Sequence, residues 1–253
     1  MKTLVILALI VTALPHQQQL QKLKQTLVDF RQDRTTPSPK ISAATERSVL
    51  SKVFRRYLTD SNKCDQQFDA SSNNDPLKAA RNVGQIVPTI EDVATGSFTA
   101  AGQTETAYVI FVSECNASHA DNYGTKRVAI FSGQRLVADM DADFRGSIAL
   151  KTDLNSDGIN ELLMTTGDLN QGVTTETAAL VSFQNGRLRV IHDFGTVVED
   201  SCASEMRGSS AKASVISISD VILGEMPKLR ADNYVAGCRG TKRWQFLSTG
   251  RMQ

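Results

Sequence analysis

Apolar positions between residues 15 and 85 recur three and four residues apart, which is the period of an α-helix. A first run consists of Leu20, Leu23, Leu27 and Phe30. A second run begins at Ser42, a residue type that caps helices, and its apolar face consists of Val49, Leu50, Val53, Phe54, Tyr57 and Leu58. A third, shorter helix is predicted from Asp75 to Gly84. Residues 15–85 are therefore predicted to form a helical N-terminal segment.

From residue 86 onward the pattern changes to short apolar runs separated by glycine, asparagine and aspartate. The runs are TAYVIFVSE, KRVAIFS, GSIALKT, ELLMTT, TAALVSF and GRLRVIHDF. Such runs, bounded by turn residues, are typical of β-strands. Asn185 and Gly186 stand between two of them and predict a tight hairpin, and residues 132–136 predict a looser one. Residues 86–253 are therefore predicted to form a β domain.

The strand-forming runs also repeat along the chain. The matched pairs are Phe98 with Leu154, Gly102 with Gly158, Glu105 with Glu161, Arg135 with Arg187 and Leu136 with Leu188. A third copy is indicated by ADNYGTKR at residues 120–127, which returns as ADNY at 231–234 and GTKR at 240–243. The predicted fold is mainly β with an N-terminal α-helical segment, in which two to three stacked β-meander repeats form a body too short for a full propeller.

The second copy contains the stretch DLNSDGINELL, residues 153–163, which carries oxygen-bearing side chains at alternate positions. Loop positions one, three, five, seven and nine are occupied by Asp153, Asn155, Asp157, Ile159 and Glu161, and a glycine stands at position six. Such spacing wraps the backbone around a hard cation, and an oxygen-only ligand set favours Ca²⁺. The loop is not an EF-hand, because its twelfth residue is Met164 and strand-like runs flank it.

These residues resemble the calcium loop of FG-GAP and VCBS-type repeats, the strand-loop-strand units of integrin-like β-propellers. In that family the loop reads roughly DxNxDGxxD/E, and DLNSDGINELL matches it at each of those places. The resemblance implies side-chain ligands at Asp153, Asn155, Asp157 and Glu161, with the carbonyl of Ile159 completing the set. The first copy has lost the ligands, since Ser97, Thr99 and Ala101 stand at the matching positions. We expect it to fold without metal, and the calcium ion of the second copy to be structural.

The first 14 residues resemble a secretory signal peptide in composition. A lysine at position 2 precedes an apolar run from Leu4 to Leu14, and glutamines follow near the expected cleavage site at Ala13. A short membrane anchor and a buried helix are the alternatives, although the run is short for a bilayer span. Signal cleavage leaves no membrane span in our prediction, and the protein is expected to be secreted or periplasmic.

Four cysteines, Cys64, Cys115, Cys202 and Cys238, are widely spaced, and no CxxC pair suggests a zinc site. In an exported protein, dispersed cysteines in even number predict two disulfides. Of the three possible pairings we expect the sequential one, Cys64 with Cys115 and Cys202 with Cys238. Buried free thiols are the alternative.

The charge balance excludes some classes of partner. Lysine plus arginine total 28 and aspartate plus glutamate 27, so the whole chain gives no reason to expect a nucleic-acid partner. Other candidate chemistry is sparse: Asp139, Asp141 and Asp143 would share one strand face, and His119 lies on a polar loop beside Cys115. None of the GxSxG, HExxH, Walker or dinucleotide-binding motifs occurs, so we do not expect an enzyme.

Three functions follow from these patterns. The first is a secreted or periplasmic binding protein with a structural calcium loop, whose partner is an envelope or extracellular protein or glycan. The second is an exported hydrolase that uses the carboxylates at 139–143 and the His119 loop. The third is a structural envelope component that docks through the helix from Ser42 to Leu58.

Overall fold

The computed structural model describes residues 24–32, 40–69, 75–116, 124–143, 145–204 and 208–252. Its strands are β1 (Gln25–Asp29), β2 (Ile86–Gly96), β3 (Glu105–Glu114), β4 (Thr125–Ser132), β5 (Arg135–Asp141), β6 (Ser147–Thr152), β7 (Glu161–Asn170), β8 (Val173–Gln184), β9 (Arg187–Asp200), β10 (Ser210–Ser219), β11 (Lys228–Gly237) and β12 (Gln245–Thr249). Its helices are α1 (Ala43–Val53) and α2 (Pro76–Val83), with a 3₁₀ turn at Ser61–Lys63. The predicted signal peptide at residues 1–14 lies outside the described residues.

Two of the predicted helices are confirmed, and local capping explains their ends. Ser42 caps α1 by accepting a hydrogen bond from Thr45 N at 3.1 Å. That helix ends at Val53, earlier than the predicted Leu58, because Phe54 takes up an extended conformation. Asp75 caps α2, and Gly84 ends it in the left-handed conformation at φ 81°.

The predicted first helix is wrong over residues 25–29, which form strand β1. Leu27 and Phe30, the last two members of that apolar run, belong to this strand and to the turn that follows it. Strand β1 pairs antiparallel with β10, with Gln25 opposite Ile218 and Asp29 opposite Val215. The helical spacing was therefore a coincidence of a short strand whose partner lies near the other end of the chain.

Two antiparallel sheets make up the β domain. The first unit is the four-stranded sheet β2-β3-β4-β5, and the second unit is the meander β6-β7-β8-β9. A third unit consists of β12-β11-β10 with β1 added at the free part of the β10 edge. The second and third units count as one eight-stranded sheet, because Val198–Asp200 of β9 pairs with Ala211–Ala213 of β10. Shifts in the register between β8 and β9 are β-bulges or similar irregularities, which bend a sheet and here separate the second unit from the third.

The second unit is buried on both faces. Leu162 and Met164 of β7 point into a core shared with the first unit, whereas Leu163 between them points into a core shared with the third unit. Side chains alternate along a strand, so a strand covered on both faces needs apolar residues at successive positions. This burial explains the continuous apolar runs, such as ELLM and AALV, in the sequence.

The helices cover the remaining face of the first unit. Val49, Leu50 and Phe54 pack there against Ile110 and Phe131 in a separate hydrophobic core. The layers therefore follow the order helices, first unit, second unit and third unit. The docking hypothesis requires the apolar face of α1 to lie on the surface. This face is instead buried against the first unit.

The prediction of a mainly β protein with two to three stacked repeats is confirmed. In the described residues the sheets do not close into a barrel or a propeller ring. The hairpin at Asn185 and Gly186 is present, with both residues at positive φ. The third unit exists, but GTKR does not mark an equivalent place in it, because this tetrapeptide opens β4 in the first unit and precedes β12 in the third. ADNY at 231–234 lies within β11, and its first copy at 120–123 lies outside the described residues.

Both predicted disulfides are present, Cys64–Cys115 and Cys202–Cys238. The first joins the segment after α1 to the end of β3, and the second joins the β9–β10 connection to the end of β11. Two disulfides are characteristic of a protein that folds in an oxidising compartment. Among the described helices, none is long and apolar enough to cross a membrane.

The packing of β1 predicts a large effect for a residue that the sequence placed on a helix. Phe30 is 5% exposed, its backbone N–H donates to Ser214 O at 2.9 Å, and its ring lies in the core of the third unit. We expect Phe30→Ala to lower the free energy of unfolding by about 3–5 kcal/mol in urea denaturation. The matched control Phe246→Ala, at a ring that is 59% exposed, should cost about 1 kcal/mol or less. Equal losses would show that β1 does not pack as described.

Candidate metal centre

Two loops occupy the same place in the first and second units. Residues 97–104 connect β2 to β3, and residues 153–160 connect β6 to β7. Each loop is closed by the first residue of the strand that follows it, Glu105 or Glu161, and these side chains are buried at 2% and 3% exposure. A buried carboxylate must receive hydrogen bonds, and both of them accept from the backbone of their own loop.

The equivalence of the loops extends to their hydrogen bonds and their cores. Glu105 accepts from Phe98 N at 2.7 Å, and Glu161 accepts from Leu154 N at 2.9 Å. The Phe98 ring enters the core that the first unit shares with the second, and Leu154 enters the core that the second shares with the third. The repeat alignment read from the sequence therefore has a physical counterpart in the two loops.

Loop 153–160 wraps its backbone around its own carboxylates. Asp153 accepts from Asp157 N at 3.1 Å through one oxygen and from Gly158 N at 2.9 Å through the other. Asp157 in turn accepts from Ile159 N at 2.8 Å. Positive φ angles at Ser156 (59°) and Gly158 (83°) allow the chain to turn this sharply. The loop thus holds the predicted ligand residues on one short arc of backbone.

The donor set of this loop fits a hard cation. Asp153, Asp157 and Glu161 have no lysine or arginine within ion-pairing distance in the part of the chain that the structure describes, whereas Asp139 and Asp232 are both paired. Burial raises the pKa of Glu161, and the negative charges of Asp157 and Asp153 raise it further. Carboxylates that repel one another and lack a basic partner are stabilised by a divalent cation.

The side chains of the predicted ligand residues do not point towards a common position in this structure. Over the described ranges, no three His, Cys, Asp or Glu side chains are grouped so as to hold a metal ion. The carboxylates instead face loop amides, and Asn155 Nδ2 donates to Asp157 Oδ2 at 2.9 Å. Binding of an ion by this set requires the side chains of Asp153, Asn155 and Asp157 to reorient, because their oxygens now accept hydrogen bonds from loop amides.

The loop is fixed at the junction of all three units. Asn160 Oδ1 accepts from Ser97 N at 2.9 Å in the sister loop, and Asn160 N donates to Ser97 O at 2.6 Å. On the other side, Gly224 N in the β10–β11 turn donates to Asn155 O at 2.9 Å. Neither Asn160 nor Gly224 was predicted as a site residue, because the calcium spacing has no ligand at loop position eight, which Asn160 occupies, and Gly224 is distant in the sequence.

The carboxylates at 139–143 do not form the predicted common face. Asp139, in β5, lies 2.7 Å from Arg127 and 3.9 Å from Arg81. Asp143 lies beyond the end of β5, at φ 48°, and pairs with Arg145 at 3.0 Å. The prediction that a single strand would carry all three side chains is wrong for Asp143, because β5 ends at Asp141.

The histidine candidates contribute no described site. His119 lies outside the described residues. The ring of His192 packs on Phe194 with 4.5 Å between ring centroids, and burial together with the charge of Arg251 lowers its pKa. Asp193 pairs with Arg251 at 3.2 Å. His192 and Asp193, neighbours in β9, therefore make separate contacts.

Comparisons of this chain with protein-family models, with curated proteins and with solved structures find no match. The resemblance to FG-GAP and VCBS-type calcium loops therefore rests on the residues of loop 153–161 alone.

The raised pKa of Glu161 predicts a pH-dependent stability in the absence of calcium. The folded protein keeps Glu161 protonated at pH values where the unfolded chain has already released that proton. Its contribution to the free energy of unfolding is therefore fully present below the ordinary value of 4.5 and is lost as the pH rises through the folded pKa. Glu161→Gln keeps an oxygen that can accept from Leu154 N and removes this loss.

Urea unfolding in EDTA, at about pH 4 and about pH 7, measures the effect. Relative to the wild type, Glu161→Gln should become more stable on going from the lower pH to the higher one. Titrations that all other groups share cancel in this difference. An equal change in the free energy of unfolding between the two pH values, for wild type and variant, would contradict the environment described for Glu161.

Proposed function

We propose that this chain is an exported binding protein whose loop 153–161 holds a structural calcium ion. The observation that carries the proposal is the set of oxygen ligands without a basic partner, placed where the three units meet. The proposed ligands are the side chains of Asp153, Asn155, Asp157 and Glu161 and the carbonyl of Ile159.

The sister loop supports a structural role for the ion. It replaces the missing ligands by hydroxyl groups: Ser97 donates to Gln103 O at 2.7 Å, and the Thr99 hydroxyl donates to Glu105. Thr99 N also donates to Glu105, at 2.8 Å. One loop is thus closed by hydrogen bonds, and its partner would be closed by a cation. Either way the connection between the first two strands of a unit becomes rigid.

Secretion or export to a periplasm is the proposed location. The two disulfides require an oxidising compartment, and the composition of residues 1–14 is that of an export signal. The expected partner is a protein or glycan of the envelope or of the extracellular surroundings.

The competing functions have less support from the described residues. A hydrolase would need a free carboxylate near a base, but Asp139 is held by Arg127 and Asp143 pairs with Arg145. A component that docks through α1 would need an uncovered apolar face, yet Val49, Leu50 and Phe54 are packed on the first unit. A binding protein that recognises its partner through loops and clefts needs neither a free carboxylate near a base nor an uncovered face on α1.

Calcium binding predicts a gain in stability that depends on the loop. For a dissociation constant of about 0.1 mM, 1 mM calcium stabilises the fold by about 1.4 kcal/mol, which raises the melting temperature by about 3–6 °C. We expect this gain in the wild type and its loss in Asp157→Ala, measured by thermal denaturation in EDTA and in calcium.

The matched control is Glu105→Gln in the sister loop, to be compared with Glu161→Gln. The Glu105 variant should keep the full calcium gain, since its loop lacks ligands, and the Glu161 variant should lose most of it. A wild type that melts at the same temperature in EDTA and in calcium would remove the metal from the proposal.

A further inference from the structure

A cleft of about 780 Å³ opens between the helices and the first unit. Its basic lining consists of Arg55, Arg56, Lys78, Arg81 and Arg127. The acidic lining residues are Asp75 and Asp141, and backbone amides occupy both of them. Asp75 accepts from Lys78 N at 3.0 Å, and Asp141 accepts from Asp143 N at 2.7 Å. Five basic side chains against two acidic ones give the cleft an excess of positive charge, although the whole chain is nearly neutral.

The side chains of three of these cations have no partner in the described part of the chain. Those of Arg55, Arg56 and Lys78 make no hydrogen bond or ion pair with any described residue, and all three are exposed. A second cleft of about 580 Å³, beside β9 and β11, shows the contrast. Its cations are each paired: Lys228 with Asp220, Arg230 with Asp232, and Arg251 with Asp193. In the first cleft, Arg127 and Arg81 lie near Asp139, at 2.7 Å and 3.9 Å, so the charge left without an acidic partner is that of Arg55, Arg56 and Lys78.

The folded chain holds the walls of this cleft in place. Arg55 and Arg56 directly follow the end of α1, and Gly84 lies so close that an added Cβ would stand 2.8 Å from Arg56 Cβ. Lys78 and Arg81 lie one turn apart on α2, so they point to the same side of the helix. The Arg81 guanidinium lies 5.3 Å above the Phe54 ring. Burial and the close approach of Arg127 lower the pKa of Arg81.

The floor of the cleft is apolar, formed by Val53, Phe54, Leu77 and Val112. Its volume falls in the range of sites for small organic ligands. An apolar floor beneath arginines suits a molecule with a carbon skeleton and anionic groups at its edges. Arginine forks bind carboxylate and phosphate oxygens in pairs, which gives such a site orientation as well as affinity.

We propose that this cleft binds a small organic molecule that carries at least two anionic groups, either carboxylates or phosphates. This inference rests on the proposed binding function and specifies the ligand class and the residues that recognise it. Arg55, Arg56 and Lys78 contact the anionic groups, Arg81 is positioned between them and the floor, and the carbon skeleton lies on Leu77, which is partly exposed.

Isothermal titration calorimetry with succinate and with fructose 1,6-bisphosphate, in low salt, tests the proposal. We expect the wild type to bind at least one probe, with an affinity that falls as the salt concentration rises. Binding of succinate alone identifies a carboxylate ligand, and binding of the bisphosphate alone identifies a phosphate ligand. Failure of the wild type to bind either probe overturns the proposal.

The variant Arg55→Gln/Arg56→Gln should weaken binding about tenfold or more, and Lys78→Gln several-fold. The matched control Arg187→Gln/Arg189→Gln removes the same charge from exposed arginines on the β8–β9 hairpin and should leave affinity within about twofold. Equal weakening by the control would show general charge attraction and overturn the site. The altered side chains are exposed, so the melting temperatures should match the wild type.

The calcium assay on the same preparations separates the two proposals. Probe binding in the cleft without a calcium gain in stability refutes only the metal. A calcium gain without probe binding refutes only the anion cleft and leaves the proposed calcium-braced protein intact.

Discussion

Leu162 and Leu163 are neighbours in β7, yet their side chains enter different hydrophobic cores, because the second unit is covered on both faces. Burial of both faces of a sheet contributes strongly to the free energy of folding, and buried polar side chains such as Thr165 and Ser182 are few among the described strands of that unit. The two candidate sites lie instead at the ends of strands and in the outer layer. The loop at 153–161 lies at such an end, and the basic cleft lies at the outer helical layer.

Local patterns were sufficient for elements whose contacts are local. The caps at Ser42 and Asp75, the hairpin at Asn185 and Gly186, and the two-faced apolar runs all follow from neighbouring residues. Strand β1 could not be predicted in this way, since the spacing of three between Leu27 in the strand and Phe30 in the turn after it fits a helix equally well. Its identity is decided by β10, which no local spacing reveals.

The candidate sites also differ in whether their residues are close together in the sequence. The ligand residues of loop 153–161 are adjacent in sequence, so their spacing alone is enough to indicate a cation. The contacts of Asn160 with Ser97 and of Gly224 with Asn155 join three units and exist only in the folded chain. The basic cleft is formed by residues at the end of α1, in α2 and in β4. Each of these elements contributes basic residues that cannot be told from ordinary solvated charges in the sequence.

Strand β1 has a further consequence for how the protein is made. Lys24, just before this strand, forms an ion pair with Asp232, 208 residues away in the chain. The first and second units contain all of their own strands, whereas the third joins β1 to β10 and β11 from the far part of the chain. Until those strands are in place, β1 has no partner and the outer face of the second unit has no cover. Contacts between distant parts of a chain form slowly. Closure of the third unit is therefore expected to be the last step of folding.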